Sequence, residues 1–124
     1  MAKQPQVYVV SDSLGETAES VAKATIGQYD TDIEIHRVPF IRHTDQIEKI
    51  INEAAQEGAI VCHTLVSPEL RADFERLAHE KNVRYMDILG PMMNMVTDMT
   101  GMQPRMKPGI IHRLDEEYFK KVEA

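Results

Sequence analysis

The chain has 124 residues, 43% of them apolar and 27% charged, which is the size and make-up of one globular domain with one core. Its formal net charge of −6 excludes the uniform basic field of a nucleic-acid binder, although a local basic pocket for a phosphate remains open. Cys62 is the only cysteine, so no intrachain disulfide can form and a reducing, cytoplasmic setting is the expectation. The first residues, Met-Ala-Lys-Gln-Pro-Gln, lack the apolar core of a secretion signal, and no apolar run reaches the length of a bilayer span.

Residues 6–11 are apolar and rich in β-branched side chains, which predicts a buried strand. From Gly15 to about Gln28 the apolar positions Ala18, Val21, Ala22, Thr25 and Ile26 recur at three and four residues, as in a helix. Residues 32–38 alternate apolar and polar, the mark of a strand with one wetter face. Thr44 to Glu57 reads as a second helix, with Ile47, Ile50, Ile51, Ala54 and Ala55 inward and Gly58 as its stop. Residues 59–66 form the most apolar strand. Ser67-Pro68-Glu69 then opens a third helix with a serine cap, a proline and an acid in the first turn. Leu70, Phe74, Leu77 and Ala78 face inward, and Asn82 caps the end. Residues 83–89 make a fourth strand, and Gly90-Pro91 starts a Met-rich helix that ends at Gly101.

Strand and helix alternate four times with no hairpin signal. Crossovers of this kind give an α/β domain over residues 1–101, an open parallel four-stranded sheet with helices on both faces. The expected strand order is 2-1-3-4, as in flavodoxin- and Rossmann-like folds. Residues 102–124 read as a linker, broken by Pro104 and Pro108-Gly109, and the start of a helix in which Leu114, Tyr118 and Val122 share a face. The chain stops inside that helix, which suggests a larger protein with a further half.

Four constellations could carry chemistry. The first is the turn Ser11-Asp12-Ser13-Leu14-Gly15-Glu16-Thr17 between strand one and helix one. In order 2-1-3-4 it lies where the sheet reverses direction, the usual ligand crevice of an open parallel sheet. Unpaired amides and partial positive charge at a helix start suit a phosphate. Two features point the other way. Ser13 and Glu16 have the spacing of a capping box, and Asp12 and Glu16 would repel an anion. The turn also lacks a P-loop lysine and the three glycines of a dinucleotide fingerprint.

The second is Arg37, Arg42 and His43, which could hold an anion or merely balance nearby acids. The third is His63 with Thr64 and Ser67. Ser67 is already explained as a cap, and no acid is placed to orient the histidine, so a satisfied, partly buried histidine is the reading. The fourth is the cluster Met92, Met93, Met95, Met99 and Met102 with Val96, either core or a soft surface for a partner or for self-association. No metal-ligand spacing is present. A receiver domain would need an aspartate ending strand three, where His63-Thr64-Leu65 stands instead.

The blocks Ser11-Asp12-Ser13-Leu14-Gly15-Glu16-Thr17-Ala18-Glu19, Asp87-Ile88-Leu89-Gly90-Pro91, Pro108-Gly109, His112-Arg113-Leu114-Asp115 and Tyr118-Phe119-Lys120-Lys121-Val122-Glu123-Ala124 occur in this order along nearly the whole chain. Together they resemble the pyruvate, phosphate dikinase regulatory proteins and the related phosphoenolpyruvate synthase regulatory proteins. Leu14 departs from the small polar residue frequent there, which weakens a side-chain role at that position but not a backbone role. The resemblance implies a bacterial, bifunctional serine/threonine kinase. Such an enzyme would use ADP to inactivate its target by phosphorylating a threonine. It would use inorganic phosphate to remove that group as pyrophosphate. It also implies a nucleotide-binding, P-loop-like segment in a C-terminal half. No Gly-x-x-x-x-Gly-Lys-Ser/Thr segment occurs in these 124 residues, so no catalytic residue or cofactor is assigned to them. The implied partners are the dikinase or synthase and the further half of the same protein.

Overall fold

The computed structural model describes residues 4–106. The linker and helix read from the sequence over 102–124 therefore lie largely outside the described residues.

Strands β1 (Gln6–Val10), β2 (Glu34–Val38), β3 (Ile60–His63) and β4 (Tyr85–Asp87) alternate with helices α1 (Glu16–Ile26), α2 (Thr44–Glu57), α3 (Pro68–Glu80) and α4 (Gly90–Thr100). All strand pairs are parallel and the order is β2-β1-β3-β4, as the alternation of elements requires. Central β1 is buried on both faces from Val7 to Val10, which explains its unbroken apolar run. Edge strand β2 alternates because it is only half covered.

One face of the sheet is packed by α2 and α3. Val10, Ile47, Ile51, Val61, Leu65 and Phe74 form its centre. Phe74 lies 4.7 Å from the His63 ring and 5.5 Å from Tyr85, centroid to centroid. On the opposite face a smaller core joins Val7 and Val9 to Ala18 and Ala22 of α1.

The helix ends largely follow their sequence signals. Ser67 caps α3 by accepting the Leu70 amide, and Pro68 occupies the first turn. Beyond α3, Asn82 takes a left-handed conformation at φ 56°. Gly58 does the same after α2, at φ 65°.

Four sequence expectations are corrected. Strand β4 is three residues long, Tyr85–Asp87, not the seven of 83–89. Strand β3 is four residues long, not eight, because the amides of Leu65, Val66 and Ser67 turn to side-chain acceptors. Val21, Thr25 and Ala55 are exposed, not inward. The capping box of Ser13 and Glu16 does not form. Helix α1 begins at Glu16 behind Gly15, whose left-handed φ of 87° places Ser13 outside capping position, and no side chain caps the helix.

Candidate functional site

The β1–α1 turn stands at the carboxyl edge of the sheet, between the strands where the order reverses. Its path is fixed by its carbonyls. Four in succession are taken by Arg37 of β2 and by the segment that follows the strand. The Ile41 amide donates to Ser11 O at 2.9 Å, and Arg42 Nη1 donates to Asp12 O. The Phe40 amide donates to Ser13 O at 2.9 Å, and Arg37 Nε donates to Leu14 O at 2.7 Å. Phe40 needs a left-handed φ of 60° to make its bond.

The side chains of Ser11 and Asp12 tie the turn to the β3–α3 loop. Both residues are buried. Ser11 Oγ accepts from Thr64 Oγ1 at 3.1 Å and from the Ser13 amide at 3.0 Å. Asp12 Oδ2 accepts the amides of Val66 at 2.9 Å and Ser67 at 3.2 Å. Asp12 Oδ1 is buried and accepts no hydrogen bond among the described residues. Ser11 and Asp12 are therefore the frame of the turn. Ser13, Leu14, Glu16 and Thr17 reach the surface, and Gly15 is buried beneath them. A Cβ on Gly15 would stand 3.4 Å from Arg37 Nε and 3.7 Å from Ser11 Cβ, so glycine serves both conformation and space there.

Arg37 and Arg42 both donate to carbonyls of the turn. Arg37 also pairs with Glu19 of α1 at 3.0 Å, and Arg42 Nη1 is shared with the Ile41 carbonyl. Both cations brace the turn from the β2 side. His43 sits at the start of α2, where its amide donates to Gln46 Oε1 at 2.9 Å. The alternation of β2 placed Arg37 beside the turn, but nothing in its spacing disclosed the carbonyls it would serve.

His63 lies beside this frame, buried at the end of β3. Its Nδ1 accepts the Leu65 amide at 3.2 Å. Burial is the main force on its ionisation, and Arg71 adds to it. Against the opposing pull of Asp87 and Asp12, the pKa falls from 6.5 to about 4. It is thus a neutral core histidine, fully buried where its sequence context suggested partial burial. Arg71 donates to Asp87 Oδ2 at 2.7 Å, while Asp87 Oδ1 accepts the Gly90 amide at 2.8 Å at the start of α4. A Cβ on Gly90 would stand 2.2 Å from Asp87 Oδ2. The sequence signal for this latch is the Asp87-x-x-Gly90 spacing, which brings the Gly90 amide to the Asp87 carboxylate.

No group of three or more histidine, cysteine or acidic side chains among the described residues is placed to hold a metal ion. No helix among them is long and apolar enough to cross a membrane.

The sequence profile of the kinase/pyrophosphorylase family matches residues 7–124. A protein of Carboxydothermus hydrogenoformans named as a pyruvate, phosphate dikinase regulatory protein is 44% identical over 121 residues, covering 97% of this chain and 44% of the relative. A protein of Halothermothrix orenii with the same name is 38% identical over 124 residues, covering all of this chain and 47% of the relative. The chain spans under half the length of both relatives. With the profile matched from the first strand to the last residue, the chain belongs to the kinase/pyrophosphorylase family.

Proposed function

We propose that this chain is the α/β half of a phosphotransferase that controls pyruvate, phosphate dikinase. In the forward direction the enzyme would pass the β-phosphoryl group of ADP to a threonine hydroxyl of the dikinase, releasing AMP. In the reverse direction inorganic phosphate would attack the phosphothreonine, freeing the hydroxyl and leaving as pyrophosphate. Phosphoryl transfer depends mainly on positioning and charge neutralisation, so a domain that closes over phosphates held elsewhere has a clear physical role.

The observation that carries this reading is the match of nearly the whole chain to relatives named for dikinase regulation. The surface of the turn from Ser13 to Thr17 supports a phosphate contact, made by backbone amides at the uncapped start of α1. Ser11 and Asp12 would act as its frame, and Arg42 would hold the turn's carbonyls away from the anion. Helix α4 favours a second role, docking. It exposes Met92, Met95, Val96 and Met99, a soft apolar surface suited to the protein substrate or to the other half of the enzyme.

The test is a chimera in which these 124 residues replace the matching segment of the Carboxydothermus relative. The chimera should phosphorylate dikinase with ADP and release pyrophosphate in the presence of phosphate, whereas residues 1–124 alone should do neither. A folded chimera that transfers nothing, or transfer by residues 1–124 alone, contradicts the assignment.

A further inference from the structure

The β1–α1 turn and the β3–α3 loop are the two walls of a crevice at the carboxyl edge of the sheet, where the strand order reverses. Asp12 starts on one wall and ends on the other, because its Oδ2 accepts the amides of Val66 and Ser67. Its carboxylate therefore lies inside the crevice. Asp12 is 2% exposed, and its Oδ1 is buried with no hydrogen-bond partner among the described residues. No ion pair among those residues reaches it. Arg42 Nη1 donates to the carbonyls of Asp12 and Ile41, not to this carboxylate. The neighbouring His63 is neutral, with its pKa lowered to about 4, and brings no positive charge. A buried carboxylate oxygen without a donor is costly, so Oδ1 calls for a cation or a proton donor.

The hydroxyl groups nearby are engaged with one another. Thr64 Oγ1 donates to Ser11 Oγ at 3.1 Å, and Ser11 Oγ also accepts the Ser13 amide at 3.0 Å. Ser11 Oγ and Ser13 Oγ stand 3.4 Å apart. The crevice thus gathers one carboxylate oxygen and hydroxyl oxygens from both walls, Ser11 and Ser13 on one and Thr64 on the other. Such hard oxygen donors suit a hard cation. Magnesium binds oxygens at about 2.1 Å and at right angles, so adjacent ligands lie about 3 Å apart. The separations of 3.1 and 3.4 Å are of that size. Calcium takes about six to eight oxygens, a shell that one aspartate and a few hydroxyls do not fill.

We propose that Asp12 Oδ1 binds a magnesium ion in this crevice, with the hydroxyls of Ser11 and Ser13 as further ligands and water on the remaining positions. A site with one carboxylate has no signature in ligand spacing, so the sequence gives no sign of it. The ion offsets the charge of Asp12 ahead of α1, the feature that weighed against an anion at this turn. A phosphate oxygen can replace one of the waters, but the ion site stands without the phosphate contact proposed above.

The probe is the metal alone, added to the isotope-labelled 124-residue chain. Manganese(II) takes the same oxygen ligands and relaxes nearby nuclei, so it should broaden the amides of residues 11–13 and 64–67 before all others. Excess magnesium should restore them. Asp12→Asn keeps an oxygen for the Val66 and Ser67 amides, and it should weaken manganese binding by at least about tenfold. Asp98→Asn, on the exposed surface of α4, should leave the affinity unchanged. Should Asp12→Asn fail to fold, the wild-type pattern and a severalfold loss in Ser13→Ala decide. Broadening spread evenly over the acidic surface, or none at residues 11–13 and 64–67, would overturn the proposal. Equal manganese affinity in the wild type and folded Asp12→Asn would overturn it too.

Discussion

The carboxylate of Asp12 accepts the backbone amide of Val66 at 2.9 Å, across the point where the strand order reverses. With the Ser67 amide on the same oxygen, one buried side chain sets the distance between the β1–α1 turn and the β3–α3 loop. Asp12→Ala leaves two amides without their acceptor. A buried unpaired donor costs about 1–3 kcal/mol, so the variant should lose about 2–5 kcal/mol, measured as a lower urea midpoint at unchanged slope.

Gly90 and Gly58 make a controlled pair. Gly58 has a positive φ and open space around its Cβ position, so Gly58→Ala should cost only the conformational strain, about 1 kcal/mol. Gly90→Ala drives a methyl group into Asp87 and Arg71 and must displace their ion pair. Its loss should exceed that of Gly58→Ala by about 2 kcal/mol in thermal or denaturant unfolding. Equal losses would show that the latch at the start of α4 yields freely.

His63 makes stability depend on pH. Its folded pKa of about 4 lies below the unfolded value of 6.5, so between these values the unfolded chain binds the extra proton. The stabilisation is complete above pH 6.5 and is lost as pH falls toward 4. Two to three pH units of linkage correspond to about 3 kcal/mol at most. Urea unfolding from pH 7 to pH 4.5 should show this decline, and His63→Gln should flatten it.

Phe74 of α3 is fully buried against His63 and Tyr85. Phe74→Ala should cost about 3–5 kcal/mol by opening a cavity in the larger core. Tyr29→Ala, on an exposed side chain of the opposite face, should change stability by less than about 0.5 kcal/mol.

The sequence disclosed the fold because its apolar periods are local. The continuous run in β1, the stripes of α2 and α3 and the Ser67-Pro68 start each follow from neighbours along the chain. What it hid depends on distant partners. Val21 and Thr25 keep helical spacing yet line an open groove, because α1 stands alone on its face of the sheet. Ser13 and Glu16 have the spacing of a capping box, but Gly15 turns left-handed and starts the helix later. Arg37 and Arg42 could be read as anion ligands or as balance for nearby acids, and their bonds to Leu14 O and Asp12 O could not be read without the pairing of β2 with β1.

The most direct measurement is a titration of the isotope-labelled 124-residue chain with ADP, phosphate and pyrophosphate, read at the backbone amides. If the turn meets phosphate, the amides of Ser13 to Thr17 shift saturably with at least one of the three, and Ser13→Ala and Gly15→Val weaken or abolish the response in folded protein. A folded chain whose Ser13–Thr17 amides stay unmoved by all three would contradict a phosphate contact at this turn.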